Sequence, residues 1–120
     1  MSLLPDKILR SLAFALLVLP VFGHTAPAAI PPAEPRTHVV VIENMEFSPR
    51  VLTVRLGDTV EFRNIDVSPH TVTEQGPGKI DSGMIEEQKQ WKLVADRAGT
   101  LRYACTYHPV MTGTLIVEAK

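Results

Sequence analysis

Three soft metal donors fall within seven residues near the end of the chain, in the run Cys105-Thr106-Tyr107-His108-Pro109-Val110-Met111. No other stretch restricts the fold so strongly. Upstream, Leu101, Tyr103 and Cys105 alternate with Arg102, Ala104 and Thr106, the period of a half-buried strand that points Cys105 inward at its end. Pro109 stops that strand, and Gly113 precedes a second strand-like run, Thr114 to Glu118. The loop between them has to turn back sharply, with Cys105, His108 and Met111 converging inside the bend. Thiolate, imidazole and thioether suit copper or zinc and poorly suit magnesium or calcium.

Two imidazoles and a thiolate with a weak axial thioether form the trigonal arrangement of blue-copper electron-transfer centres. A second histidine therefore has to come from a distant part of the chain. Val67-Ser68-Pro69-His70-Thr71-Val72 supplies it, 35 positions before Cys105.

On these residues the stretch from Thr37 to Lys120 resembles the cupredoxins, the small blue-copper proteins, and is most similar to the amicyanin/plastocyanin group. The two-and-two spacing of Cys105, His108 and Met111 is similar to that of amicyanin; plastocyanins and pseudoazurins carry a longer gap before the methionine. By position, the resemblance implies His70, Cys105 and His108 as equatorial ligands of one copper ion and Met111 as the axial one. Two positions depart from the pattern. Tyr107 stands where amicyanin and plastocyanin have proline, which bears on loop rigidity. Thr71 stands where an asparagine commonly follows the first histidine, which bears on the hydrogen bonding between the two ligand segments.

From Thr37 onward no helical period of any length is visible, only short strand-like runs between turn residues. These are Val39 to Ile42, Val51 to Leu56, Thr59 to Asn64, Gln90 to Val94 and the two runs around the metal loop, with turns at Gly57-Asp58, Gly76-Pro77-Gly78, Asp81-Ser82-Gly83 and Ala98-Gly99. The pattern predicts an all-β, Greek-key β-sandwich of seven to eight strands, whose crossovers can bring His70 beside Cys105. Met84 to Gln88 is the one weak helical candidate. Met45, in a run that reads as core, and Met84, beside turn residues, compete with Met111 as axial ligand; loop spacing favours Met111. Phe47, Phe62, Trp91 and Tyr103 read as core, and His24 and His38 as solvent-facing.

Residues 1–29 read as an export signal and its cleavage region: Lys7 and Arg10 give a positive start, Leu12 to Phe22 an apolar run, and small residues follow. Residues 30–36 are a Pro/Ala-rich lead-in, and 37–120 the domain. The mature protein is expected in the periplasm or secreted. In such an oxidising space, Cys105, the only cysteine, has no disulfide partner and is protected by metal ligation.

At 120 residues and 45% hydrophobic content the chain accommodates one core. Its charges, net −1, are interspersed rather than run into blocks, which argues against nucleic acid. Two of the four histidines and the single cysteine are claimed by the metal, and no convincing nucleophile and base pair remains, which argues against an enzyme. The function expected is single-electron shuttling between redox proteins that dock near His108, Pro109 and Val110. The protein is expected to be a monomer, off the membrane once the signal is removed. Copper storage or delivery is the alternative, and a zinc-bound structural domain a third reading.

Overall fold

Strand-forming residues dominate the computed structural model, which describes residues 15–120. The positive start of the export signal, Lys7 and Arg10, lies outside the described residues, as does the beginning of the apolar run. Residues 15–31 are exposed and carry neither helix nor strand. Among the described residues, no helix is long and apolar enough to cross a membrane.

The compact unit spans Pro32–Lys120. Eight strands build it: β1 Thr37–Glu43, β2 Glu46–Ser48, β3 Val51–Arg55, β4 Thr59–Asn64, β5 Thr73–Glu74, β6 Gln90–Val94, β7 Gly99–Ala104 and β8 Thr112–Glu118. One sheet has the order β2-β1-β4-β6 and the other β3-β8-β7-β5, with β1 parallel to β4 and β3 parallel to β8. Because these neighbours are distant in sequence, each sheet needs crossovers between the layers. The all-β, cupredoxin-like sandwich expected from the sequence is the fold observed.

Period-two alternation sets the core. Val60 and Phe62 of β4 and Leu115 and Val117 of β8 turn inward, while Arg63 and Glu118 face water. Phe62 of one sheet meets Tyr103 of the other edge to face at 5.4 Å, and Phe47 meets Tyr103 at 4.9 Å. Such edge contacts add about 0.5–1.5 kcal/mol each beyond the area they bury. Gly113 belongs to this contact rather than to the preceding turn. It lies inside β8 opposite Tyr103, and a Cβ there would come within 2.3 Å of the tyrosine ring. The Tyr103 hydroxyl is buried with no hydrogen-bond partner.

Two sequence expectations change. Met84 to Gln88 forms no helix, because Ile85 pairs with His70 in an isolated bridge and Gln88 takes a positive φ of 62°. Met45 is 41% exposed and not core, whereas Phe47 is 3% exposed. The reason is the turn. With Glu43 paired to Glu46, Asn44 and Met45 form a two-residue hairpin loop, both at positive φ, 53° and 62°. A left-handed residue other than glycine costs about 1–2 kcal/mol.

Candidate metal centre

The centre is assembled at one end of the sandwich from two loops. His70 lies between β4 and β5, and Cys105, His108 and Met111 lie between β7 and β8.

Local hydrogen bonds fix the first loop. Asn64, fully buried at the end of β4, donates through Nδ2 to the carbonyls of Ser68 and Ile85 and accepts Asp66 N–H through Oδ1. His70 exchanges both backbone hydrogen bonds with Ile85. Its Nε2 then meets Asp66 Oδ2 at 2.9 Å, and its ring is wholly buried. A carboxylate at Nε2 keeps the proton there and leaves Nδ1 with a free lone pair for a metal. Burial acts to raise the Asp66 pKa, but the backbone N–H groups of Met45 and Asn44, together with His70, outweigh it and hold the carboxyl below its ordinary value.

The second loop is closed on itself. Cys105 N–H donates to the Met111 carbonyl at 3.0 Å, His108 N–H to the Cys105 carbonyl at 3.3 Å, and Met111 N–H to the His108 carbonyl at 2.9 Å. These three bonds close the loop without using the Tyr107 N–H, the donor that proline at this position would remove. The Thr71 departure is compensated. Thr106 N–H donates to Thr71 Oγ1 at 2.8 Å, and the hydroxyls of Thr71, Thr73 and Thr106 lie within 2.9–3.2 Å of one another. The two ligand segments are thereby joined, and Thr71 N–H points at Cys105 Sγ from 3.4 Å.

Cys105 Sγ lies 3.7 Å from His70 Nδ1 and 3.8 Å from His108 Nδ1, and the two imidazole centroids are 5.3 Å apart. These are the residues that, among those described, could hold a metal, with ligand atoms all within 4.8 Å of one another. The distances test the fit. Bonds of about 2.0 Å to nitrogen and about 2.3 Å to sulfur, set about 120° apart, would separate sulfur from nitrogen by about 3.7 Å. Cys105 is fully buried and His108 half-buried. Met111 is 3% exposed, with its backbone bonded to Cys105 and His108; Met45 and Met84 are 41% and 56% exposed. Asp66 escaped the sequence reading. Its spacing four residues before His70 was the only available signal, and surface loops are full of such carboxylates.

A family model described as a cupredoxin-like domain matches residues 12–117. Amicyanin from Paracoccus denitrificans is 34% identical over 84 residues, which cover 67% of this chain and 64% of that relative, so the match spans less than two thirds of the relative's own length. Amicyanin-alpha from Methylorubrum extorquens is 30% identical over 120 residues, 92% of this chain and 100% of the relative. Among solved structures, a reduced amicyanin point mutant superposes with a TM-score of 0.64 at 34% identity, covering 68% of this chain and 82% of that one. A second amicyanin mutant, solved with Cu(I), gives a TM-score of 0.63 at 33% identity over 67% and 80% of the two chains.

Proposed function

The chain belongs to the cupredoxin-like family, and from that premise we propose that it is a one-electron carrier whose type 1 copper site is held by His70, Cys105, His108 and Met111. One observation carries the reading: two Nδ1 atoms lie at nearly equal distances, 3.7 and 3.8 Å, from one buried sulfur. Bound copper supplies a one-electron couple. The chain's own part is to keep the ligands still. Asp66 orients His70, the Thr71-Thr73-Thr106 hydroxyls join the two ligand segments, and Thr71 N–H lies against the sulfur. A donor set fixed in this way changes little between charge states, which keeps reorganisation small.

His108 is the exit for the electron. It is half-buried on an exposed loop, with Val110 91% and Tyr107 50% exposed beside it. Val67, 83% exposed, precedes the other histidine ligand. Apolar side chains around the two ligand segments support a brief, small interface with a redox partner, together with Pro109 and Pro69. Residues 24–120 hold 10 basic and 12 acidic groups, so electrostatic steering is weak. The apolar run and the proline-rich lead-in support export to the periplasm. The three backbone bonds closing the Cys105–Met111 loop favour a resident ion over storage or delivery.

The test is the visible spectrum of the Cu(II)-loaded protein. Thiolate-to-copper charge transfer makes it intensely coloured, and Cys105→Ser abolishes the colour. A colourless protein holding one Cu(II) would overturn the reading. Met111→Gln is expected to lower the reduction potential in voltammetry while copper stays bound, since a thioether favours Cu(I). If Met84→Gln shifts the potential instead, Met111 is not the axial ligand.

A further inference from the structure

Met45 sits where a turn of this kind favours a different residue. It is the second central residue of the β1–β2 hairpin at φ 62°, where glycine or asparagine is usual and a long unbranched side chain is not. The side chain fills no core space, being 41% exposed. Nor is the turn loose. Asn44 N–H and Met45 N–H donate to Asp66 Oδ1 and Oδ2 at 2.9 Å each, and Oδ2 also meets His70 Nε2. One carboxylate thus ties the Met45 backbone to a metal ligand.

Met45 shares an open cleft of about 410 Å³ with Met111, Phe47, Arg50 and Val110. Met111 lies at its buried foot, 3% exposed, and Val110 stands at its rim, 91% exposed. Glu46 and Arg50 line the same cleft and oppose each other in charge, so neither sign prevails there. A thioether is a soft, neutral donor that binds Cu(I) weakly and needs no deprotonation to do so. Met45 and Met111, one exposed and one buried, line one cleft, and a pair of thioether-bearing residues so placed suits the inward passage of a soft monovalent cation.

We infer that Met45 is an outer docking atom for Cu(I), which it takes from a soft-ligand donor and passes across the cleft to Met111 and Cys105. This rests on the copper reading above. The step is ligand exchange without redox change: the donor's bond to Cu(I) breaks, bonds to the Met45 and then the Met111 thioether form, and the Cys105 thiol releases its proton to water as its sulfur binds.

Stopped-flow transfer of Cu(I) from its coloured bicinchoninate complex to the apo-protein tests the inference. Met45→Leu is expected to slow uptake roughly tenfold, and release by the same factor, for loss of one soft donor on the path. Equilibrium affinity, Cu(II) spectrum and reduction potential stay unchanged, because Met45 belongs to the path and not to the final site. Met45→Gly, which suits φ 62°, should slow uptake equally while raising Tm, so that sulfur chemistry separates from turn strain. Unchanged rates in both variants would overturn the inference, and so would a changed affinity or spectrum at unchanged rates. A wild-type protein that takes up no Cu(I) at all is a different result, the failure of the copper reading itself.

Discussion

The two ends of β4 carry the same local device and put it to different use. At the start of the strand, Asp58 accepts Arg36 N–H and Arg55 N–H and meets His38 Nε2 at 2.8 Å. Just past its end, Asp66 accepts Asn44 N–H and Met45 N–H and meets His70 Nε2 at 2.9 Å. Each carboxylate joins one histidine to two backbone donors from neighbouring segments. What differs is the other face of the imidazole. The His38 side chain keeps 27% of its surface in water, and the pair clamps the start of β1 to the β3–β4 turn. His70 has none in water, and its Nδ1 faces a buried sulfur. A carboxylate–histidine pair by itself is a clasp; it becomes part of a metal site only where the fold brings a thiolate to the opposite nitrogen.

The sharpest way to break this comparison is to remove each histidine. His70→Ala should abolish the coloured Cu(II) site, whereas His38→Ala should leave the spectrum unchanged and cost roughly 1 kcal/mol in urea unfolding. Equal loss of colour in both would mean that the far clasp shapes the metal end. Next come the carboxylates. Asp66→Asn is expected to weaken metal binding by about 10–100-fold, the usual effect of losing a carboxylate behind a ligating imidazole, measured by chelator competition. Asp58→Asn should leave that affinity where it was.

Acid separates the clasps further. The backbone N–H groups of Arg36 and Arg55, followed by His38, hold the Asp58 carboxyl far below its ordinary range. A depressed folded-state pKa contributes stability that is complete above the unfolded-state value near ~3.9 and is lost as pH falls below it. The apo-protein should therefore begin to lose urea resistance as pH falls through the unfolded-state value near ~3.9 and go on losing it toward the depressed folded-state value, with no recovery below it. Asp58→Asn should be less stable at neutral pH and show a shallower loss; Asp66 and Glu61, both also held below their ordinary values, account for the slope that remains. An unchanged slope would show that the far clasp contributes nothing in acid. The smallest effect lies in the core between the two ends. Tyr103→Phe removes a buried hydroxyl with no partner and should raise stability by about 1 kcal/mol at pH 7, with the metal spectrum kept. A loss instead would mean that the hydroxyl is satisfied in solution.

Much of the metal end was legible because it is local. Cys105, His108 and Met111 sit on one loop, and strand alternation put Cys105 inward without knowledge of the partner strands. β4, Thr59–Asn64, and β6, Gln90–Val94, fall where the alternation placed them. Met45 was misread because apolar neighbours suggested core, and only the pairing of Glu43 with Glu46 turned it into a turn residue. His38 looked solvent-facing because Asp58 is 20 positions away in sequence and reaches it only across the β1–β4 pairing. The compensation for Thr71 needed Thr73 and Thr106 on segments that meet only after β5 pairs with β7.

By itself, then, the sequence determined the donor types, their spacing and the all-β period, because each depends on residue chemistry and short-range repeat. The tertiary structure alone decided which carboxylate stands behind which imidazole, which methionine is buried, and that Gly113 makes room for the Tyr103 ring. Those choices are set by contacts between segments tens of residues apart or on facing strands. Their energies depend on burial and distance, and neither is fixed until the two sheets close on one another.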